Sequence, residues 1–317
     1  MRSRLPLVLP LLAVLLAAAC GCGSGSSSAK PGAVDVVVTT TQLGDIVREV
    51  GGDAVDVHQI LRPNTDPHDY EPRPKDIQET AGAKLVVTSG DGLDAWMGEV
   101  LDNAGGDPTV LDAGAGRPVS RPGESSGSEA SRFDAHWWHD PRNVEYAVRR
   151  VRAALVSAGA DRAVVDRGAA AYLRRVRALD RGIRTCMDAV PVAQRRLVTD
   201  HDAFGYFAQR YGITVVGAVI PSQTTQAQPS AGDLAQLTRT IRSQHVRAIF
   251  PESSINPKLA DAIARQTGAT ADHPLYGDTL GAEDSRGATY LGMEAANADA
   301  MVRGFTGGAR GCAIAGL

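Results

Sequence analysis

The chain has 317 residues, a formal net charge of -3 and 43% hydrophobic residues. A balance this close to neutral, with no basic cluster or aromatic ladder, excludes a nucleic-acid-binding surface as its organising feature. About 285 residues remain once an N-terminal leader is set aside, enough for one large or two medium domains with sizeable cores.

Residues 1–20 read as a signal peptide. Arg2 and Arg4 precede an apolar run from Leu5 to Ala19, which is shorter than the roughly 18 to 20 residues a spanning helix needs. Ala17-Ala18-Ala19-Cys20 looks like a bacterial lipoprotein cleavage box and marks Cys20 as the lipidated residue; Cys22 is a rival, and Ala17 stands where that pattern prefers leucine. Residues 21–33, rich in Gly and Ser, form a flexible tether. The expected location is therefore outside the cytoplasmic membrane, held to it by lipid alone. Beyond the leader only Cys186 and Cys312 remain, and an even pair in an exported chain is expected to form a disulfide.

From residue 34 the pattern is strand and helix in turn. Val34 to Thr39 is a β-branched run, followed by a helix with Leu43, Ile46, Val47 and Val50 on one face. Val55 to Leu61 is a second strand, leading through a polar loop to a short helix opened by Pro74. Leu85 to Thr88 is a third strand, Gly92 to Asn103 a helix and Thr109 to Leu111 a fourth strand. Asn143 to Val156 and then Asp161 to Val190 carry helical periodicity with no strand between them, and Pro191 stops the second. The alternation then resumes with strands at Arg196 to Thr199, Ile213 to Ile220 and Val246 to Phe250 and a weaker one near Leu275. Helices lie between them, and a last helix spans Thr289 to Phe305. This spacing predicts an α/β fold of two doubly wound lobes with parallel sheets, joined by one long helix. The expected divisions are 34–158, the connector 159–190 and 191–317.

In parallel sheets ligands gather beyond the carboxyl ends of the strands. His68 follows the second strand, and His136 lies in the long loop after the fourth. His201 follows Leu197-Val198-Thr199, Glu252 follows Phe250, and Asp278 follows the strand near Leu275. His58, His245 and His273 fall elsewhere and read as surface or structural residues. His68 and His136 facing His201 and Asp278 would make a mixed nitrogen and oxygen site between the lobes. Three imidazoles and one carboxylate suit Zn2+ better than hard cations that want six or more oxygens.

Five ordered blocks carry a resemblance across nearly the whole chain after the leader. They are His68-Asp-Tyr-Glu-Pro, Asp134-Ala-His-Trp-Trp-His-Asp-Pro, His201-Asp-Ala-Phe-Gly-Tyr-Phe, Glu252-Ser-Ser-Ile-Asn-Pro-Lys and Tyr276-Gly-Asp-Thr-Leu-Gly. Together they resemble the signature blocks of the zinc and manganese solute-binding proteins of ABC importers. The resemblance implies a receptor, not an enzyme, acting as a monomer that delivers its ion to a membrane permease and takes it from solution or from a zinc-donating chaperone. It places the four ligands on His68, His136, His201 and Asp278. His139 stands where the family usually has an apolar residue, as a supporting or competing group, and Glu252 would orient an imidazole or occasionally serve as a ligand. His201 implies zinc, since manganese members tend to have glutamate there. The segment 114–131 lacks the histidine-rich loop of many zinc members, and 221–232 resembles the loop that faces the cleft. Three other readings remain beside this one: a manganese receptor of the same family, an exported zinc hydrolase with Glu252 as base, and a surface adhesin.

Overall fold

A computed structural model describes residues 32–127 and 129–316. The leader, Cys20, Cys22 and all of the tether but its last two residues lie outside the described residues. The first sheet is fully parallel, with strands β1 (Val34–Val38), β2 (Val55–Gln59), β3 (Leu85–Thr88) and β4 (Thr109–Asp112) in the order β2-β1-β3-β4. β1 and β3 are almost wholly buried because helices cover both faces, which is why, Asp35 apart, they read as near-continuous Val-rich runs rather than alternating ones.

Helix α1 (Thr41–Gly51) starts where the Thr40 side chain accepts a hydrogen bond from the Leu43 N–H. Helix α2 (Pro74–Gly82) begins on a proline, whose missing N–H has no partner to lose there. Helix α3 is shorter than its sequence predicts, running Met97–Ala104. The Asp94 carboxylate takes the N–H groups of Ser89 and Gly90 and the Thr39 hydroxyl, and so holds the preceding residues in turns.

Helices α4 (Pro141–Ser157) and α5 (Arg162–Asp188) follow each other directly. Asp140 and Asp161 cap them through hydrogen bonds from the N–H groups of Arg142 and Val164. Val165, Ala169, Tyr172, Val176, Leu179, Ile183 and Met187 form one buried stripe along α5, at the three- and four-residue spacing that keeps a face inward. Through it α5 packs against α1, α4 and the last helix, α9 (Tyr290–Thr306). One apolar cluster therefore runs from Val34 to Phe305 and Cys312.

The second sheet is thinner than the sequence suggests. β5 (Arg196–Thr199) and β6 (Thr214–Ala218), with helix α6 (Gly205–Tyr211) between them, form its parallel ladder, and its register shifts between Leu197 and Val198. The segments expected as strands at 246–250 and near Leu275 keep the parallel order but pair only through single bridges, Thr199 with Phe250, Ala248 with Thr270 and Glu252 with Leu275. Pro251 and Pro274 lack the N–H that a longer ladder needs at these points. Helices α7 (Ala231–Ser243) and α8 (Lys258–Thr267) enclose a separate small apolar cluster with Val198, Val219 and Ile249. Cys186, at the end of α5, and Cys312 lie at bonding distance, with Cα atoms 5.5 Å apart. No helix of the described residues is long and apolar enough to cross a membrane.

Candidate metal centre

Four loops beyond strand ends converge, and each one is shaped by its own sequence. In Asp66-Pro67-His68 the Asp66 carboxylate accepts from the His68 N–H at 3.0 Å and proline opens a 3-10 turn, Pro67–Asp69, which turns the ring inward. In Asp134-Ala135-His136 the same spacing recurs: Asp134 Oδ1 accepts from the His136 backbone N–H at 3.0 Å and from its Nδ1 at 2.8 Å. Trp137 and Trp138 then anchor this loop. The Trp137 indole donates to the Ser89 carbonyl, and that of Trp138 to the carbonyl of Gly277, next to Asp278.

His201 comes straight off β5. Its backbone N–H and its Nδ1 both donate to Glu252 Oε1, at 3.0 and 2.8 Å. Asp278 is held by its neighbours, since Asn297 bonds both backbone groups of Tyr276 and the Leu280 N–H donates to the Thr41 hydroxyl. Gly277 allows the closest approach in this loop. A Cβ there would stand 2.1 Å from Glu252 Oε2, so no other residue fits without displacing that carboxylate.

The four side chains are buried, and one ligand atom from each lies within 4.8 Å of all the others. His136 Nε2 is 3.3 Å from His201 Nε2 and 3.2 Å from Asp278 Oδ1. Asp278 Oδ2 is 3.3 Å from His201 Nε2 and 3.7 Å from His68 Nε2. His68 Nε2 and both Asp278 oxygens have no hydrogen-bond partner, a costly state for buried polar atoms unless something else occupies the point they share. Each ring is held from behind through Nδ1, His68 by Glu129 Oε2 at 2.6 Å, His136 by Asp134 and His201 by Glu252. When Nδ1 carries the donated proton, the neutral ring presents its lone pair at Nε2.

The electrostatics agree with a cation site. Burial opposes charging of His136, but Asp134 and Asp278 outweigh it and push the imidazole up to about 9. His201 is likewise raised well above its ordinary value, by Glu252 and Asp278 against burial. Asp278 is held well below the usual carboxylate range because His201, His136 and His68 together overcome its burial.

His139 sits outside this group. Its Nδ1 pairs with Glu294 Oε1 at 2.7 Å and its ring stacks on Phe204 with centroids 4.5 Å apart. Glu252 stands on the Nδ1 side of His201, not beside Nε2, so it is placed to orient that ring and not to act as a base on a bound water. Sequence reasoning missed Glu129, Asp66 and the role of Asp134. The last two carried a signal, the repeated Asp-x-His spacing, which lets a carboxylate accept from the N–H two residues on.

Residues 36–304 match the family described as ZnuA, zinc-uptake complex component A, periplasmic. The chain belongs to this family. The zinc-binding protein TroA of Treponema pallidum is 32% identical over 281 residues, covering 86% of this chain and 89% of that one. The solved structure of periplasmic zinc-binding TroA superposes with a TM-score of 0.79 at 30% identity, over 86% of this chain and 99% of that one. The iron-binding protein YfeA of Yersinia pestis is 31% identical over 272 residues, 85% of this chain and 86% of its own. The manganese-binding lipoprotein MntA of Halalkalibacterium halodurans is 27% identical, over 86% and 88%. Members of this family are extracytoplasmic metal-binding receptors of ABC transporters rather than enzymes, and so is this chain.

Proposed function

We propose that the chain captures Zn2+ between two lobes and hands it to the permease of a zinc importer. His68, His136, His201 and Asp278 are the ligands, and Asp134, Glu129 and Glu252 orient the rings. The lobes are residues 34–158 and 191–317, with 159–190 as the connector. Cys20 carries the lipid, Cys186 and Cys312 form a disulfide, and the donor is free zinc or a zinc chaperone.

The observation that carries this reading is the convergence of three carboxylate-supported imidazoles on one side chain, Asp278. A tetrahedral zinc with bonds near ~2.05 Å sets neighbouring ligand atoms roughly 3.3 Å apart. The separations of 3.3 Å between His136 Nε2 and His201 Nε2 and of 3.3 Å between His201 Nε2 and Asp278 Oδ2 are in keeping with that. Nitrogen-rich donor sets favour zinc over manganese, both by ligand type and by the general order of divalent affinities.

A second reading, manganese or iron, is favoured by one feature. The two Asp278 oxygens face different imidazoles, so a bidentate carboxylate could supply the fifth bond that those ions accept. Metal analysis of the purified protein, with a competition titration of zinc against manganese, separates the two. One zinc per chain, bound more tightly than manganese, is expected. Wild-type zinc affinity in a His68→Ala, His201→Ala double variant would end the assignment.

A further inference from the structure

The three imidazoles are not held alike. His136 and His201 each give both a backbone N–H and Nδ1 to one carboxylate oxygen, from Asp134 two residues away and from the buried Glu252. His68 Nδ1 rests instead on Glu129, 61 residues distant and with a side chain 16% exposed. Glu129 belongs to an excursion that leaves at Pro122 and returns at Phe133, closed by the Pro122–Phe133 bridge and by the Ser131 N–H donating to the Glu124 carbonyl.

The same excursion reaches the second sheet's loops. Glu124 Oε1 accepts from the Ser222 hydroxyl at 2.8 Å and from the Gln223 N–H at 2.7 Å. That strap, 222–226, then crosses to the His68 turn: Thr225 donates to Asp66 Oδ2 at 2.7 Å, and the Gln226 amide donates to the His68 carbonyl. Asp66 in turn accepts from the His68 N–H. The contacts around His68 are thus partly exposed, side-chain mediated and shared between residues following different sheets, whereas those of His136 and His201 with their carboxylates are buried.

We infer that Glu129 is the positioning residue for His68, and that the clasp of Glu124, Thr225 and Gln226 sets the rate at which the ion passes in and out beside His68. This rests on the metal-receptor reading and extends it: His68 is the ligand that lets go first. The clasp's own side-chain bonds involve none of Asp134, Glu252 or Asp278. The excursion occupies the place where, by the resemblance above, other zinc members carry histidines, and here it supplies a carboxylate to a ligand instead.

The test is stopped-flow transfer of zinc from the loaded protein to a chelator, together with zinc uptake by the metal-free form. Glu129→Ala should release zinc faster, by up to the roughly 10- to 100-fold of affinity usually lost with a group that orients a metal ligand. Glu129→Gln, which keeps an acceptor for Nδ1, should rise less. Glu124→Ala touches no imidazole, yet should speed both uptake and release while the metal-free melting temperature stays near wild type. In the double variant the two effects should fall short of multiplying, because both loosen the hold on the one ligand, His68. Wild-type release from both single variants, each still binding one zinc, would overturn the inference, as would two effects that multiply independently. A wild-type protein that bound no metal would overturn the receptor reading instead.

Discussion

Gly277→Ala is the most exacting test of how the centre is built. The added Cβ would lie 2.1 Å from Glu252 Oε2 and 3.2 Å from its carboxyl carbon, with Phe204 at 3.7 Å on the other side. Ordinary contact begins at 3.4 Å, so Oε2 must move by about 1.3 Å, and the carboxylate that shifts with it is the one whose Oε1 holds His201 Nδ1 at 2.8 Å. Overpacking of this kind costs about 1 to 3 kcal/mol of fold stability, or roughly 2 to 10 °C of melting temperature in a chain of this size. Zinc affinity should fall about 10- to 100-fold through the misoriented ring. Gly98→Ala in α3, where nothing lies within 4 Å of the new Cβ, serves as the control. Calorimetry with a competing chelator and a thermal melt read both effects. Unchanged zinc affinity in Gly277→Ala would refute the claim that Glu252 orients His201.

His139→Ala should keep one zinc per chain while losing about 3 to 5 kcal/mol of stability, because Glu294 would be left buried without its partner; lost zinc stoichiometry would make His139 a ligand. Cys312→Ser, which opens a closure of 126 residues, should cost about 2 to 5 kcal/mol in chemical denaturation with zinc affinity intact. The pH response follows from His136. In the metal-free fold its pKa lies above the ordinary 6.5, at about 9. The stability it contributes is therefore complete below about 6.5 and is lost as pH rises through 9. Zinc needs the neutral ring, so its affinity should climb over the same interval and the gap between loaded and metal-free melting temperatures should widen. Affinity that did not change between pH 6.5 and 9 would contradict this.

The four converging residues were legible because each lies in a loop beyond the carboxyl end of a strand, His201 just after β5 and His136 far along the loop after β4, and parallel sheets gather such loops at one edge. His139, three residues from His136, was read as a supporting or competing group beside it. The 3-10 turn Trp137–His139 sends it instead toward Glu294 on α9, a contact 155 residues off that no local pattern announces. Glu129 was hidden for the same reason, its partner His68 being 61 residues earlier and its surroundings a Gly/Ser-rich loop with no periodicity. The strand expected at 246–250 and the weaker one near Leu275 shrink to single bridges, and Pro251 and Pro274, both visible in the sequence, lack the N–H that a longer ladder needs. Helix α3 was extended past Asp94, whose carboxylate bonds the chain before it and so favours turns over helix.

X-ray absorption at the zinc edge of the loaded wild-type protein tests the centre most directly. The account expects three imidazole nitrogens at ~2.0 to 2.1 Å and one carboxylate contributing one or two oxygens, with one imidazole lost in each of His68→Ala, His136→Ala and His201→Ala. A first shell dominated by water or carboxylate oxygens, or one that those substitutions leave unchanged, would contradict it.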